Sequence, residues 1–151
     1  MQHETSVLFA VIKGGPYRHA LLLGTLLTLL LPTRGPAADV KVGNQTFTLP
    51  DGLTVECVAA PPLVDRPITM AIGDDGALYV ADSSGSNDPV EKQLKDKPHR
   101  ILRLIDTDDD GIYDERTIYA DRMMFPAGTL WLDGSLYVAA PPQIWKLTDT
   151  T

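Results

Sequence analysis

The sequence has a single cysteine, Cys57, and no Cys-x-x-Cys-His motif. One thiol cannot form an internal disulfide, and a c-type haem is attached through that motif. Cys57 lies in the alternating apolar pattern of residues 53–59, so we expect a buried apolar thiol rather than a nucleophile. The sequence also lacks a glycine-rich phosphate loop, a Cys/His metal cluster and the Ser-His-Asp order of a hydrolase. These absences exclude a c-type haem from this chain and give no support to three common kinds of catalytic site.

Basic residues are scarce relative to acidic ones. Residues 1–38 hold three of the 13 Lys and Arg residues and one of the 20 Asp and Glu residues. The remaining 113 residues therefore carry 10 basic and 19 acidic side chains, a formal charge of −9. Such an acidic surface argues against nucleic acid and anionic membranes as partners, and it suits an exported protein that uses calcium.

No hydrophobic run is long enough to span a bilayer, which takes about 18 to 20 apolar residues. The 12-residue run at 20–31 follows two basic residues and precedes a small-residue zone that ends at Ala38. This order predicts a signal peptide over residues 1–38, cleaved after Ala38, and an exported domain over 39–151 in the periplasm or cell envelope. No cysteine follows the run, which excludes the lipoprotein form of the signal.

The most informative motif is the loop Asp-Thr-Asp-Asp-Asp-Gly-Ile-Tyr-Asp at 106–114. Carboxylates at alternate positions of a tight loop converge on one centre, and Gly111 permits the turn. The motif departs from an EF-hand because position 12 is Thr117 and both flanks are strand-like. We predict a calcium site that braces the loop, with a solvated acidic turn as the alternative and with Asp109 pointing away. The predicted oxygen ligands come from Asp106, Asp108, Asp110, Ile112 (backbone) and Asp114.

The rest of the mature sequence predicts an all-β fold of short strands. Apolar alternation and turn residues indicate a hairpin over 40–49 and strands at 53–59, 68–72, 77–82, 101–105, 117–121, 129–132, 135–140 and 143–147. Residues 83–98 are polar and charged, which predicts a surface insertion with one helical turn near 90–95.

The strand pattern repeats along the chain. Gly-x-Leu-Tyr-Val-Ala occurs at 76–81 and again 58 residues later at 134–139, and Asp-Thr at 106–107 recurs 43 residues later at 149–150. The 15-residue difference fits an insertion at 83–98 that the second copy lacks. Four short strands per 40 to 50 residues predict about two blades of a partial β-propeller, with a β-sandwich containing similar hairpins as the alternative. Because the second copy stops before its own acidic loop, we expect a truncated chain.

Six segments occur in an order typical of one family. The segments are Asp-Arg-Pro-Ile at 65–68, Asp-Gly-Ala-Leu-Tyr-Val at 75–80, His-Arg-Ile at 99–101, the acidic loop at 106–111, Ala-Asp at 120–121 and Phe-Pro-Ala-Gly at 125–128. Over residues 50–150 the chain resembles the N-terminal propeller segment of PVC-type membrane-bound dehydrogenases. That family is similar to the soluble quinoprotein glucose and sorbosone dehydrogenases and often carries a haem-binding domain downstream.

The resemblance implies oxidation of a sugar or alcohol with pyrroloquinoline quinone as cofactor. The family's quinone site draws on several blades, so the downstream blades and a haem domain would be partners of this segment, and we expect the chain alone to be inactive. His99 is a candidate base for taking a proton from an alcohol, with Arg100 or Arg66 to hold the developing alkoxide or a cofactor carboxylate. The stronger expectation for His99 is an exposed ring, because it follows Pro98 at the edge of the charged insertion.

Two functions from different classes remain open. One is a fragment of an exported quinoprotein-like dehydrogenase, and the other is a calcium-braced propeller that binds a protein or glycan without catalysis. Central histidine and basic residues in further blades would favour the enzyme.

Overall fold

The computed structural model describes residues 9–14 and 37–149. These residues are mostly β, as predicted, with eleven strands and one short helix, α1 (Val90–Asp96). The strands, in chain order, are β1 (Phe9–Gly14), β2 (Ala37–Val42), β3 (Gln45–Pro50), β4 (Leu53–Ala59), β5 (Pro67–Ile72), β6 (Leu78–Asp82), β7 (His99–Ile105), β8 (Glu115–Met123), β9 (Gly128–Leu132), β10 (Ser135–Ala140) and β11 (Gln143–Thr148).

The described residues fall into two compact units, of which the first contains 9–14 and 37–57. In this unit β2 and β3 form an antiparallel hairpin, and β1 pairs with β4. Cys57 was predicted to be buried, but on β4 its side chain is only half-buried. Most of the predicted signal peptide lies outside the described residues, and the predicted cleavage after Ala38 falls within β2.

The second unit, within residues 58–149, contains two antiparallel sheets. The first sheet has four strands in the order β5-β6-β7-β8, so each strand pairs with the next one along the chain. The side chains of Leu78, Val80, Leu102 and Leu104 are buried in this sheet. Burial on this scale contributes about 2 kcal/mol for each leucine or valine, which fixes the register of the two central strands.

The second sheet has three described strands in the order β9-β10-β11. Asp133 and Gly134 join β9 to β10 with φ values of 49° and 69°. Two consecutive positive φ angles define the tight hairpin turn whose twist matches that of the flanking strands, and Asp-Gly is a favoured sequence for it. This turn aligns Leu136 of β10 with Trp131 of β9.

The two sheets are structural repeats of one another. Leu78 of β6 pairs with Leu104 of β7, and Leu136 of β10 pairs with Leu147 of β11. These pairs are separated by the same 58 and 43 residues that relate the repeated sequence motifs. Positions with equal offsets can therefore be compared one by one between the sheets.

The sheets pack against each other through one apolar core. Tyr79 of the first sheet stacks on Trp131 of the second, with ring centroids 4.7 Å apart, and meets Tyr119 edge-on at 4.8 Å. Aromatic pairs of this kind add about 1 kcal/mol each beyond the area they bury. Thr69 and Thr129, on the first strand of each sheet, share a hydrogen bond of 3.3 Å. The other core residues include Ala81, Ile101, Met123, Leu136, Val138 and Ala140.

The insertion between β6 and β7 contains α1, one residue longer than the predicted helical turn. The helix has no buried residue, and it is capped at its carboxyl end by Lys97 in the left-handed conformation. Lys92 bridges Asp88 and Asp96 at 2.6 and 3.1 Å on its exposed face. Within 9–14 and 37–149, no helix has the length and apolar character needed to cross a membrane.

Candidate metal centre

The acidic loop connects β7 to β8 and is fixed at its base. The Asp114 N–H donates to the carbonyl of Ile105 at 3.0 Å, which closes the loop. The Tyr113 N–H donates to the carbonyl of Val58 at 2.8 Å, and the Tyr113 hydroxyl donates to the carbonyl of Gly76 at 2.9 Å. Because these bonds come from three parts of the unit, the loop has one defined position at the end of the first sheet.

Asp106 organises the loop from within. Its Oδ1 accepts the N–H groups of Asp109 at 2.8 Å and Asp110 at 3.2 Å, and its Oδ2 accepts the N–H of Gly111 at 2.7 Å. Gly111 has φ +89°, so the sharp turn predicted at this position is present and requires glycine. Desolvation acts to raise the pKa of Asp106, but the three backbone donors outweigh it and the pKa is lowered.

Three carboxylates of the loop converge. Asp106, Asp108 and Asp110 each place an oxygen so that all three lie within 4.8 Å of one another. Oxygens bound to Ca²⁺ at 2.3–2.6 Å are at most about 5 Å apart, so this spacing fits one ion. Repulsion from Asp110, followed by desolvation, raises the pKa of Asp108.

The other two predicted ligands lie at the closing end of the loop. The Asp114 carboxylate accepts the N–H of Thr107 at 3.2 Å and its hydroxyl at 2.7 Å, and it is not part of the close group of three. Ile112 donates its N–H to Asp110 Oδ1 at 2.8 Å, and its side chain is about half exposed. Both residues therefore shape the loop through hydrogen bonds, in positions next to the converging carboxylates.

One residue near the loop was missed from the sequence. Asp75, in the β5–β6 turn, lines a cavity of about 150 Å³ together with Asp106, Asp109 and Tyr113. Desolvation would raise the pKa of Asp75, but the hydrogen bond and charge of Arg103 help to lower it. Asp109, predicted to point away from the metal, lines this cavity with φ 63°. The sequence Asp-Asp-Gly at 74–76 is typical of a turn, but the proximity of this turn to the loop depends on strand register.

The opposite end of the first sheet carries a buried carboxylate, Asp82. Its Oδ1 accepts the N–H of Arg66 at 2.9 Å and that of Asp65 at 3.2 Å. Its Oδ2 accepts Nε and Nη2 of Arg100 at 3.0 and 2.7 Å. Arg100, a predicted alkoxide or cofactor contact, is thus paired with a fully buried acid. The sequence offered one indication that Asp82 has a special role: the second copy of the repeat has Ala140 at the equivalent position.

Arg66 lies nearby but keeps an accessible side chain, 56% exposed. Its Nη1 donates to the carbonyl of Ser84 at 3.3 Å and lies 3.6 Å from the Asp65 carboxylate. Gly85 has φ +73°, a conformation that favours glycine where the Arg66 side chain crosses the insertion.

His99 is buried, with 1% of its surface exposed, which corrects the expected exposed ring. Its Nδ1 accepts the N–H of Ser84 at 3.0 Å, and its Nε2 contacts Oε1 of Gln93 at 3.0 Å. Nδ1 must be unprotonated to accept, so Nε2 carries the proton and donates it to Gln93. Burial lowers the pKa of His99, and Phe125 covers the ring edge-on at 5.4 Å. Both ring nitrogens are therefore engaged in holding the insertion to β7.

These features define a β-repeat unit with an acidic loop at one end and a buried ion pair at the other. Residues 40–151 match the family described as Domain of unknown function (DUF7133), and the chain belongs to that family. No curated protein and no solved structure matches the chain.

Proposed function

We propose that the acidic loop binds calcium, and that the ion braces a propeller-type repeat used for binding. The observation that carries this proposal is the convergence of the Asp106, Asp108 and Asp110 carboxylates within 4.8 Å. The raised pKa of Asp108 supports it, because a divalent cation would remove the repulsion from Asp110 that raises it. The ion would add oxygen bonds to a loop whose position is already set by Asp106 and Tyr113.

The calcium proposal predicts a stability change linked to ion concentration. A ligand at 100 times its Kd stabilises the folded state by about 2.7 kcal/mol. Calcium titration calorimetry on the chain should give measurable heat, and calcium should raise the melting temperature. Asp108→Asn should weaken both effects, because it replaces a charged carboxylate with a neutral amide oxygen among the converging groups.

A matched control comes from the same loop. Asp109→Asn also removes one charge, but Asp109 is outside the close group of three carboxylates. Asparagine tolerates the left-handed backbone at this position. The control should keep most of the calcium response. Equal responses from the two variants, or no heat with the unmodified chain, would contradict the proposal.

The proposal that this protein binds a partner without catalysis is supported by the environments of two candidate catalytic residues. His99 is buried with both nitrogens engaged, and Arg100 is paired with Asp82. A general base must reach its substrate with a free lone pair, which this His99 does not offer. The geometry therefore favours a calcium-braced propeller that presents loops to a protein or glycan, and pull-down of a glycan library by the calcium-loaded chain would test it.

A second proposal follows from the dehydrogenase resemblance and from Arg66. The guanidinium of Arg66 is the accessible member of the three candidates, so it is the residue available to hold a substrate alkoxide or a quinone carboxylate. Two repeats cannot enclose a quinone, so the chain alone should not oxidise sugars or alcohols with added quinone and an artificial acceptor. Turnover by this chain that disappears in His99→Ala would contradict the structural role of His99.

Export remains part of the proposal and has its own test. Expression in a bacterium with an intact secretion system, followed by mass spectrometry, should give a mature amino terminus near Asp39 in the periplasmic fraction. Soluble cytoplasmic protein that retains Met1 would argue against the signal peptide.

A further inference from the structure

The outer edge of the first sheet is formed by β8, a strand in the interior of the sequence. Among the described residues β8 pairs with β7 alone, so its second edge presents backbone donors and acceptors. Ile118, near the middle of β8, is 59% exposed. A free edge with an exposed apolar side chain is a template for pairing with another strand.

The charged residues of β8 are balanced and symmetrically placed. Glu115 and Arg116 precede Ile118, and Asp121 and Arg122 follow it, so the strand has no net charge in a chain of formal charge −7. The four charged side chains are exposed. Of the four, Glu115, Asp121 and Arg122 take part in none of the ion pairs in the described part of the chain. The inner pair of charges and the outer pair therefore each combine one acid with one base.

A β-bulge decides which of these charges share a face of the sheet. The ladder pairs between β7 and β8 are Leu104–Arg116, Leu102–Ile118, Ile101–Ala120 and His99–Met123. Between the second and third pairs β8 contains one extra residue, which defines a bulge. Tyr119 and Ala120, consecutive in sequence, both pack against the core, as a bulge at this point requires. The bulge shifts the alternation, so Asp121 lies on the same face as Ile118 and Arg116 instead of the opposite one.

We propose that β8 is the interface of a two-fold symmetric dimer, in which the β8 strands of two copies of this chain pair antiparallel with the axis at Ile118. A two-fold axis perpendicular to a sheet pairs residues that lie on the same face. Arg116 of one copy then lies opposite Asp121 of the other, and this pair occurs twice. Glu115 lies beside Arg122 of the other copy at each end of the interface. The proposal does not depend on calcium or on any catalytic activity.

Charge complementarity is the argument for a second copy as the occupant of this edge. Opposite charges across an antiparallel strand pair are stabilising, and like charges are destabilising. Charged residues and bulges usually keep an edge strand from pairing, but here the bulge brings opposite charges of two copies into register. An edge of nine residues buries much less than the roughly 1,600 Å² of a standard interface, so we expect a weak dimer that grows with concentration.

The first test is sedimentation equilibrium of the chain from about 10 μM to 1 mM, where small interfaces associate. The mean mass should rise towards that of a dimer. Asp121→Arg should weaken association about tenfold, because it places two arginines opposite one another at both ends. Glu91→Arg makes the same change of charge at an exposed position of α1 and should leave association unchanged.

A mixture of two variants tests the pairing itself. Arg116→Asp should also weaken association, because two aspartates then face one another at both ends of the interface. Mixed in equal amounts with Asp121→Arg, it should form a heterodimer with nearly the native affinity, since both cross-strand pairs again combine opposite charges. Arg116 also donates to the carbonyl of Pro62 at 2.8 Å, so the melting temperature of each variant is measured first. Folded variants that do not associate better when mixed would overturn the proposal.

A covalent test locates the axis without changing a charge. Facing residues of antiparallel strands have Cα atoms about 4.5–5.5 Å apart, within the range of a disulfide. In a Cys57→Ser background, Ile118→Cys should give a disulfide-linked dimer on mild oxidation. Ile112→Cys, at a similarly exposed position outside β8, should cross-link far more slowly.

Other results would contradict this interface. A chain that stays monomeric up to the highest concentration, or equal cross-linking rates at the two cysteine positions, would overturn the proposal. Association that Asp121→Arg leaves unchanged would show that the copies meet through another surface, and this result would overturn it as well.

Discussion

The two sheets of the second unit have the same strand register and different ends. Asp82 of β6 pairs in register with Arg100 of β7, and the equivalent pair in the second sheet is Ala140 with Gln143. The first pair is separated by the 17 residues 83–99, whereas the second is separated by a two-residue turn. The apolar alternation repeats because both sheets contribute to one core. The polar residues at the strand ends differ because the long connection is held by a buried ion pair, whereas the short turn is not.

The same comparison extends to the faces of the sheets. Ile101 of β7 is fully buried under the second sheet, and Ile144, its equivalent on β11, is 78% exposed. Equal side chains at equal register positions thus have opposite environments, because the described residues place a sheet over one and none over the other. This pair allows burial to be tested with the chemistry held constant.

The largest expected effect comes from truncating that pair. Ile101→Ala should lower the free energy of unfolding by about 3 kcal/mol, through lost apolar burial and the cavity left in the core. Ile144→Ala should change it by less than about 0.5 kcal/mol. Urea denaturation followed by tryptophan fluorescence measures both, and similar losses in the two variants would show that β11 is covered in solution.

The next effect concerns the ends of the sheets. Asp82→Ala should cost about 2–3 kcal/mol, since the N–H groups of Asp65 and Arg66 lose their acceptor. Arg100→Gln should cost a similar amount because it leaves a buried carboxylate without its cation. The double variant, which copies the Ala140–Gln143 pair of the second sheet, should lose less than the two single losses together. Simple additivity in denaturation experiments would contradict a direct Asp82–Arg100 coupling.

A smaller, pH-dependent effect should come from His99. Its folded-state pKa is lowered by burial, so the unfolded state binds the proton more readily. Stability from the neutral ring should be complete above the unfolded pKa of about 6.5 and should fall as the pH drops below it, by at most about 1.4 kcal/mol per pH unit. The difference in unfolding midpoint between the native chain and His99→Gln, measured from pH 7.5 to 5.5, isolates this effect from the acidic side chains. A difference that does not change with pH would contradict the neutral tautomer.

The smallest expected change in stability comes from Asp109 in the acidic loop, where two variants separate the contribution of the backbone conformation from that of the charge. Asp109 has φ 63°, a conformation that aspartate and asparagine tolerate better than alanine. Asp109→Ala should therefore cost about 1 kcal/mol without calcium, while Asp109→Asn should cost almost nothing. Thermal unfolding in the presence of a chelator compares them. An equal loss of stability in both variants would indicate a role for the charge of Asp109 itself. The described part of the second sheet has no counterpart of this loop.

The strands, the repeat offsets and the insertion could be predicted because they depend on local patterns. Alternating apolar residues and glycine-containing turns act over a few positions, so the sequence around residues 76–81 and 134–139 carries them directly. The spacing of Asp106, Asp108 and Asp110 in a tight loop is local in the same sense. Their convergence follows from a turn that Gly111 makes possible.

The rest depends on contacts between distant residues. The burial of His99 results from Gln93 and Ser84 closing over it from the insertion, and the proline before it suggested an exposed edge instead. Asp82 looked like an ordinary polar strand end, since its partners Arg66 and Arg100 lie 16 and 18 residues away. Such side-chain pairings have no periodic signature, so sequence patterns do not reveal them.

The anchoring of the insertion has a consequence for how this surface can vary. The Ser83 N–H donates to the carbonyl of Arg66 at 2.9 Å, and the Ser84 N–H donates to His99 at the far end of the insertion. The two ends are therefore held together by their own bonds, and α1 contributes no buried residue to the sheets. Doubling the length of a loop between fixed ends costs only about 0.6 kcal/mol in closure entropy. The segment ahead of α1 is thus a permissive insertion position, where a foreign peptide can be added while Gln93 keeps its contact with His99 and the repeat beneath it stays folded.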